Sequence, residues 1–391
     1  MESFAVAEPL RIEVRDSLAA IDAAAWNALV GEDDPFCDHE FLAALEKTGV
    51  VGNDSGWLPR HVTAWQGERL VGAIPFYLRW DSYGEYIFDF GWAEAWSRAG
   101  LRYYPKGVAA VPFTPVTGAR LLVGRGEGDD VAAAMADALL ALAAEHDLSG
   151  VHVLFCRDAE QQLLEARGFL PRLTHQYHWE NRGYATFDDW LADLRSKKRK
   201  QVLQERAAVR EQGIKVEVLD GERIQPDHVD AIWRFYLATA ERKWSQPYLN
   251  RETFEQLART WKHRLVLVLA SLDGRYVAGT FNVRGENVLL GRYWGAVGEY
   301  PCLHFECCYW RLVDYAIDHG MRLVEAGAQG EHKFLRGFNA RPTYSAHWLA
   351  HPGGRSAVAQ FLEREREQGE AVIQAYNRAS PVKSEREKAG Q

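Results

Sequence analysis

The 391-residue sequence has little sulfur: five cysteines and three methionines. Cys37, Cys156, Cys302, Cys307 and Cys308 are odd in number, and no secretory pattern precedes them. They read as reduced thiols and exclude a disulfide framework. Cys302, Cys307 and Cys308 lack zinc spacing, so no metal site is expected. No apolar run approaches the roughly 20 residues of a membrane span. The opening MESFAVAEPLRIEV has no basic stretch leading into an apolar core, so a cytoplasmic location is expected. Positive charge is not in excess either. A formal net charge of −8 argues against DNA as a partner, although a local basic patch could still hold an anion. What is present is a globular balance, 47% hydrophobic and 26% charged, in a chain long enough for two domains. Fourteen Trp and sixteen Tyr suit either an aromatic-lined cleft or a large core.

The chain also repeats itself. GERLVGAIPFYLRWDSYGEY from Gly67 aligns with GRYVAGTFNVRGENVLLGRY from Gly274 at an offset of 207, matching Gly67/Gly274, Gly72/Gly279, Gly84/Gly291 and Tyr86/Tyr293. Each copy reads as antiparallel strands joined by tight glycine turns. RGFLPRLTHQYHW from Arg167 aligns with RGFNARPTYSAHW from Arg336 at an offset of 169, with seven of thirteen residues identical, His178/His347 and Trp179/Trp348 among them. Ahead of each second match lie a long helix, a strand and a short helix. In the second half the long helix is HFECCYWRLVDYAIDHG, with apolar residues at helical spacing and Gly320 as its stop.

The two offsets differ by 38 residues, so the first half carries that much extra between its third strand and its long helix. The extra segment, near 91–118, has little helical or strand period and reads as a binding loop or lid. The expected fold class is α/β (α+β), with a first domain at 1–183 and a second at 184–355. The second opens with a charged linker helix at 187–213. A charged helix and frayed tail follow at 356–391.

GEYIFDFGWA, YYPKGVAAVPFTPVTG, HQYHWENRGYATFDDWLADLRSKKRK, GRYWG, LHFECCYW and GAQGEHKFLRGF cover the chain from about residue 10 to 365. In these motifs and in its duplicated order of elements the sequence resembles the FemAB-like family. That family pairs two GNAT-type acyltransferase domains in tandem and is linked by name to peptidoglycan biosynthesis. The resemblance implies an N-acyltransferase: a base frees an acceptor amine, small molecule or peptide, which attacks an acyl carbonyl directly. No permanently bound cofactor is implied. The donor is acyl-CoA as co-substrate or, as in the Fem ligases, aminoacyl-tRNA. A binding protein on the same fold is the non-catalytic alternative.

The resemblance places the strand RLVEAGA at the cleft where a GNAT sheet splays. Glu325, Glu331, His332 and His304 are then the candidate catalytic groups. Arg292, Gln329 and Lys333 are candidates for holding acceptor or oxyanion. The same residues could simply cap the short helix, since acids favour a first helical turn. The stiff, proline-rich loop adds Tyr103, Tyr104, Lys106 and Thr114 as acceptor-side candidates. His347 and, less firmly, His178 read as structural. A GNAT domain normally cradles its donor's pyrophosphate on a glycine-rich turn. The second half has a proline there, in VGEYPCLHFE. The first half has VGRGEGDD, where Gly124, Arg125, Gly126 and Gly128 could form an anion nest beside three unfavourable acids. The basic run Arg195–Lys200 is a solvated helix face or a site for tRNA phosphate.

Overall fold

The computed structural model describes residues 8–242, 246–327 and 331–383, with only the backbone at Glu331 and His332. The chain divides into two compact units. Unit 1 is Met1–Thr174 with Thr343–Gln368, and unit 2 is His175–Pro342 with Gly369–Gln391.

In unit 1, β1 (Leu10–Arg15), β3 (His61–Gln66), β4 (Arg69–Ile74) and β7 (Leu122–Val123) form an antiparallel sheet in the order β1-β3-β4-β7. Gly67 closes the β3–β4 turn at φ 58, a conformation that costs glycine little. Pro75 has no N–H to give the ladder, and β4 ends at it. The chain resumes as β5 (Phe76–Arg79) in a second sheet, between β2 (Trp57–Pro59) and β6 (Lys106–Ala109). β8 (Gly150–Cys156) runs parallel to β6, from Gly107↔Val151 to Ala109↔Val153. The helix Asp129–Glu145 presents Val131, Met135, Leu139 and Leu142 at helical spacing to a core holding Val62, Ile74, Phe76, Val151 and Val153. Burying each such side chain is worth about 1.5–3 kcal/mol.

In unit 2, β10 (Lys215–Asp220), β11 (Leu265–Leu272), β12 (Arg275–Arg284) and β13 (Val288–Ala296) form an antiparallel run. β14 (Leu323–Glu325) joins it parallel to β13, from Val288↔Leu323 to Leu290↔Glu325. One face packs Val266, Val268 and Leu289 against Trp310, Leu312, Val313 and Ala316 of the long helical segment. The other face carries the helix Pro226–Arg242. It approaches so closely that a Cβ on Gly295 would stand 1.9 Å from the Phe235 carbonyl oxygen.

The two halves exchange their last strands. β9 (Leu170–Glu180), from the first half, pairs antiparallel with β14 in unit 2 through Trp179↔Val324 and His178↔Glu325. β15 (Asn339–Leu349), from the second half, pairs with β8 in unit 1 through His347↔His152 and Trp348↔Val151. Each compact unit therefore draws on both halves, where the sequence places a single boundary at 183/184.

The extra segment of the first half carries two regular elements where the sequence suggests an irregular lid. It holds the helix Phe90–Arg98 and β6. The stretch aligned with β13, near Gly84–Tyr86, is not a strand, and β6 takes that role after the insertion. The turn placing its polar side chains inward is a tertiary effect that hydrophobic period cannot show.

A candidate acyl-transfer site in unit 2

β13 continues to Ala296, but its pairing with β14 stops at Leu290↔Glu325. The two parallel strands part there, and Glu325 stands at the fork, 5% exposed. Gly291 permits the close approach, since a Cβ on it would lie 3.1 Å from the Glu325 carbonyl oxygen. Across the antiparallel pair His178 Nε2 is 3.5 Å from Glu325 Oε1. Burial, with Arg341 and Lys333 adding, holds the His178 imidazole down at about 3, so it is neutral. The matched histidine of the repeat thus faces the candidate base, a placement that only strand register reveals.

Lys333, from the short helix Glu331–Arg336, is buried and donates from Nζ to the Gly327 carbonyl at 2.6 Å. Burial lowers its ammonium to about 8, with Arg292 pushing the same way and Glu325 and Cys308 opposing. Glu325, Arg292 and Lys333 therefore influence one another electrostatically. Arg292 is half-buried, with its guanidinium 5.3 Å from the Tyr293 ring centroid. His304 packs edge-on to Trp294 at 5.3 Å and Tyr309 at 5.5 Å, so it lines an aromatic wall. Gln329 and the side chains of Glu331 and His332 lie outside the described residues.

Sequence reasoning missed Cys308, which faces Lys333 electrostatically. The long helix is α at Leu303–Phe305 and Arg311–Asp318 but π at Glu306–Trp310. Such one-turn insertions recur at functional sites. This one buries Glu306, whose Oε1 lies 2.8 Å from Arg311 Nε, beside Arg206.

In unit 1 the equivalent fork is filled. Beyond Ala109 the chain leaves β6, and Gly118 donates its N–H to the Phe155 carbonyl at 3.0 Å. Arg120, 1% exposed, donates to the Leu154 and Val116 carbonyls at 2.8 and 2.6 Å. In unit 2 β13 continues past the fork to Ala296, with a register shift that leaves Arg292 as the extra residue, and no loop is inserted there among the described residues.

The loop candidates do not line a lid. Lys106 is 0% exposed and donates to Ser82 Oγ and Glu85 Oε2, both at 2.8 Å, and to Asp89. Tyr103 donates to Asp89 Oδ2 at 2.7 Å, and the Tyr104 hydroxyl meets Ser82 Oγ at 2.9 Å. Thr114 stands apart, donating to the Pro112 carbonyl. Glu85 and Asp89, which organise this cluster, gave no sequence signal, because a buried carboxylate reads like a solvated one.

The glycine-rich turn is also committed elsewhere. Gly124 donates its N–H to Val71, and the Glu127 N–H goes to the Gly124 carbonyl. Arg125 is exposed and pairs with Glu32, while Gly126 turns at φ 89 and Gly128 precedes a helix whose first turn holds Asp129 and Asp130. Little of an anion nest is left.

No helix among the described residues is long and apolar enough to cross a membrane. Among curated proteins none matches the chain. Solved structures are similar at the level of fold. The C-terminal domain of a putative lysylphosphatidylglycerol synthetase from Agrobacterium fabrum aligns at TM-score 0.53 and 10% identity, over 89% of this chain and 97% of that one. L-PGS from Bacillus licheniformis aligns at 0.50 and 11%, over 82% and 95%. A tandem GNAT protein from the clavulanic acid biosynthesis pathway gives 0.43 and 14%, over 88% and 99%. A family model described as peptidoglycan biosynthesis/recognition matches residues 17–384. The fold is the tandem, GNAT-like one that the motifs suggest, and the chain belongs to the FemAB-like family.

Proposed function

We propose that unit 2 transfers an acyl or aminoacyl group to an acceptor amine in cell-wall or lipid biosynthesis. The observation that supports this reading is the fork at Leu290↔Glu325, with Glu325 buried at it and buried Lys333 donating to the Gly327 carbonyl just after β14, while the fork of unit 1 is filled by Gly118 and Arg120.

Glu325 takes the proton of the acceptor ammonium. The freed nitrogen attacks the donor carbonyl, the N–C bond forms, the C–S or C–O bond to the leaving group breaks, and the nitrogen's second proton leaves on the released thiol or hydroxyl. Charged Lys333 stabilises the developing oxyanion, the kind of preorganised contact that dominates acyl-transfer catalysis. Neutral His178 lies beside the Glu325 carboxylate, with Nε2 3.5 Å from Oε1.

The donor is an acyl-CoA thioester or an aminoacyl-tRNA ester. Exposed Arg195, Lys197 and Lys200 at the start of the helix Ser196–Glu211 favour the second. Titration of coenzyme A and of alanyl-tRNA into the protein separates the two, since the tRNA complex alone weakens steeply with salt. Product formation from the bound donor and amine-bearing cell-wall or lipid precursors tests the chemistry. Glu325→Gln is expected to remove turnover and leave donor binding intact. Turnover at the wild-type rate in that variant overturns the assignment.

A further inference from the structure

We propose that unit 1 docks peripherally on the interface of a phospholipid bilayer through the exposed rings of Tyr83, Phe88 and Phe90. The inference stands on unit 1 alone and does not depend on the chemistry of unit 2.

The segment that follows β5 turns large apolar side chains to water. From Trp80 to Phe90 four aromatic residues are exposed: Trp80 at 51%, Tyr83 at 67%, Phe88 at 61% and Phe90 at 43%. Three of them form one patch, with the Phe90 ring centroid 5.7 Å from that of Tyr83 and 6.4 Å from that of Phe88. Single exposed apolar residues need no explanation, but a contiguous cluster marks an interaction surface.

The backbone under the patch is fixed from below. Arg79, 0% exposed, donates to the Tyr83 carbonyl at 2.7 Å, to Asp81 Oδ1 at 2.7 Å and to Glu85 Oε1 at 3.2 Å. Asp81 Oδ1 also accepts the Tyr83 N–H at 2.8 Å. Arg172, paired with Glu365 at 2.8 Å, donates to the Phe88 carbonyl at 3.2 Å. Lys106 ties in Ser82, Glu85 and Asp89. Taking such charges out of water is costly. A loop kept only for packing would turn its rings inward in return, and this one holds them out. Fixing them in advance lowers the ordering cost of binding a partner.

Composition, shape and charge select that partner. The patch is wholly aromatic, and aromatic rings settle at the headgroup level of a bilayer. Side chains this exposed project from the surface. That suits a fluid interface, which deforms around them, and not a small ligand, which needs a concave site. A sugar polymer needs hydrogen-bonding groups beside the rings, whereas Glu85 and Asp89 face inward onto Arg79 and Lys106. Charge near the patch cancels: Asp81 pairs with Arg79, and Glu94 with Arg98 on the helix that begins at Phe90. The attraction is therefore to the interface itself and not to anionic lipid.

The test is flotation of the full-length protein with vesicles of phosphatidylcholine, and of phosphatidylcholine with phosphatidylglycerol, each at low and high salt. The wild-type protein is expected to float with phosphatidylcholine alone, equally at both salts. The triple variant Tyr83→Ser, Phe88→Ser, Phe90→Ser should lose about tenfold or more in partitioning, because binding scales with the apolar area inserted. Its melting temperature should match the wild type. Leu203→Ser, at an exposed apolar residue of unit 2, should float as the wild type does. No flotation of the wild type overturns the proposal, as does equal flotation of the triple variant. Flotation confined to phosphatidylglycerol at low salt also overturns it, since that is the behaviour of basic side chains. So does binding to glycan strands or self-association that the triple variant loses while neither protein floats. If the triple variant does not fold, Phe88→Ser alone carries the comparison.

Discussion

At the residue scale the informative side chains are charged or polar groups held away from water. Glu325→Gln keeps the shape of the fork and removes the base. Its rate is expected to fall about 10²–10⁴-fold, the usual worth of a general base. Its melting temperature should stay close to wild type, which thermal unfolding checks. Lys333 gives a pH signature. Its ammonium titrates at about 8, and the proposed role needs the charged form. The rate should therefore decline as pH rises through about 8, and Lys333→Arg should move that limb upward. A pH–rate profile unchanged in Lys333→Arg would remove Lys333 from the chemistry.

His178 sets a stability signature of the opposite kind. Its folded value of about 3 lies below the ordinary 6.5, so the unfolded chain binds the proton that the folded chain refuses. Stability is then complete above about 6.5. It falls as pH drops towards 3, by about 1.4 kcal/mol per unit for such a histidine. Urea unfolding from pH 7 to 4 measures the slope, and His178→Gln should make it shallower by one histidine's share. Residues of this kind were only half legible in the sequence. Glu325, Arg292 and Lys333 could be singled out because polar groups crowded a strand-to-helix joint. His178 could not be assigned to Glu325, since their pairing joins segments 147 residues apart.

At the scale of elements, repeats and periodicity found β11 to β14, the long helix and the short helix after β14, but not β10. They misplaced the third strand of unit 1. The offset-207 match ran through Gly84–Tyr86, where the chain instead turns Glu85 and Asp89 inward to meet Lys106. A strand of four residues whose first member is a buried lysine has no alternation to detect. The π turn was equally silent, because one extra residue in a helix leaves its composition unchanged. β13 offers a clean test of packing. A Cβ at Gly295 meets backbone of the helix Pro226–Arg242, which no rotamer change relieves. Gly295→Ala should cost at least the 1–3 kcal/mol typical of overpacking, read as a lowered denaturant midpoint. Gly126→Asp, at an exposed turn with nothing near its Cβ, should alter donor binding only if that turn holds the donor.

At the scale of the whole molecule the strand exchange dominates. Neither half contains all the strands of one unit, so the fragments 1–183 and 184–391 should each fail to fold cooperatively. Mixed or co-expressed, they should recover the native circular dichroism and a single melting transition. A fragment 1–183 that melts cooperatively alone would show that β15 is dispensable to unit 1. The duplication itself was readable, because thirteen-residue matches survive in both copies. The exchange was not, because a repeat shows which segments are alike but not which partner each one joins.

That exchange also gives the protein a history during its own synthesis. β8 presents His152 for pairing long before His347, 195 residues later, has been made. At 5–20 residues per second the ribosome leaves that edge uncovered for on the order of 10–40 s. An open strand edge is a template for the wrong neighbour. The nascent chain should therefore engage chaperones most strongly after β8 emerges, and be released once β15 has closed it.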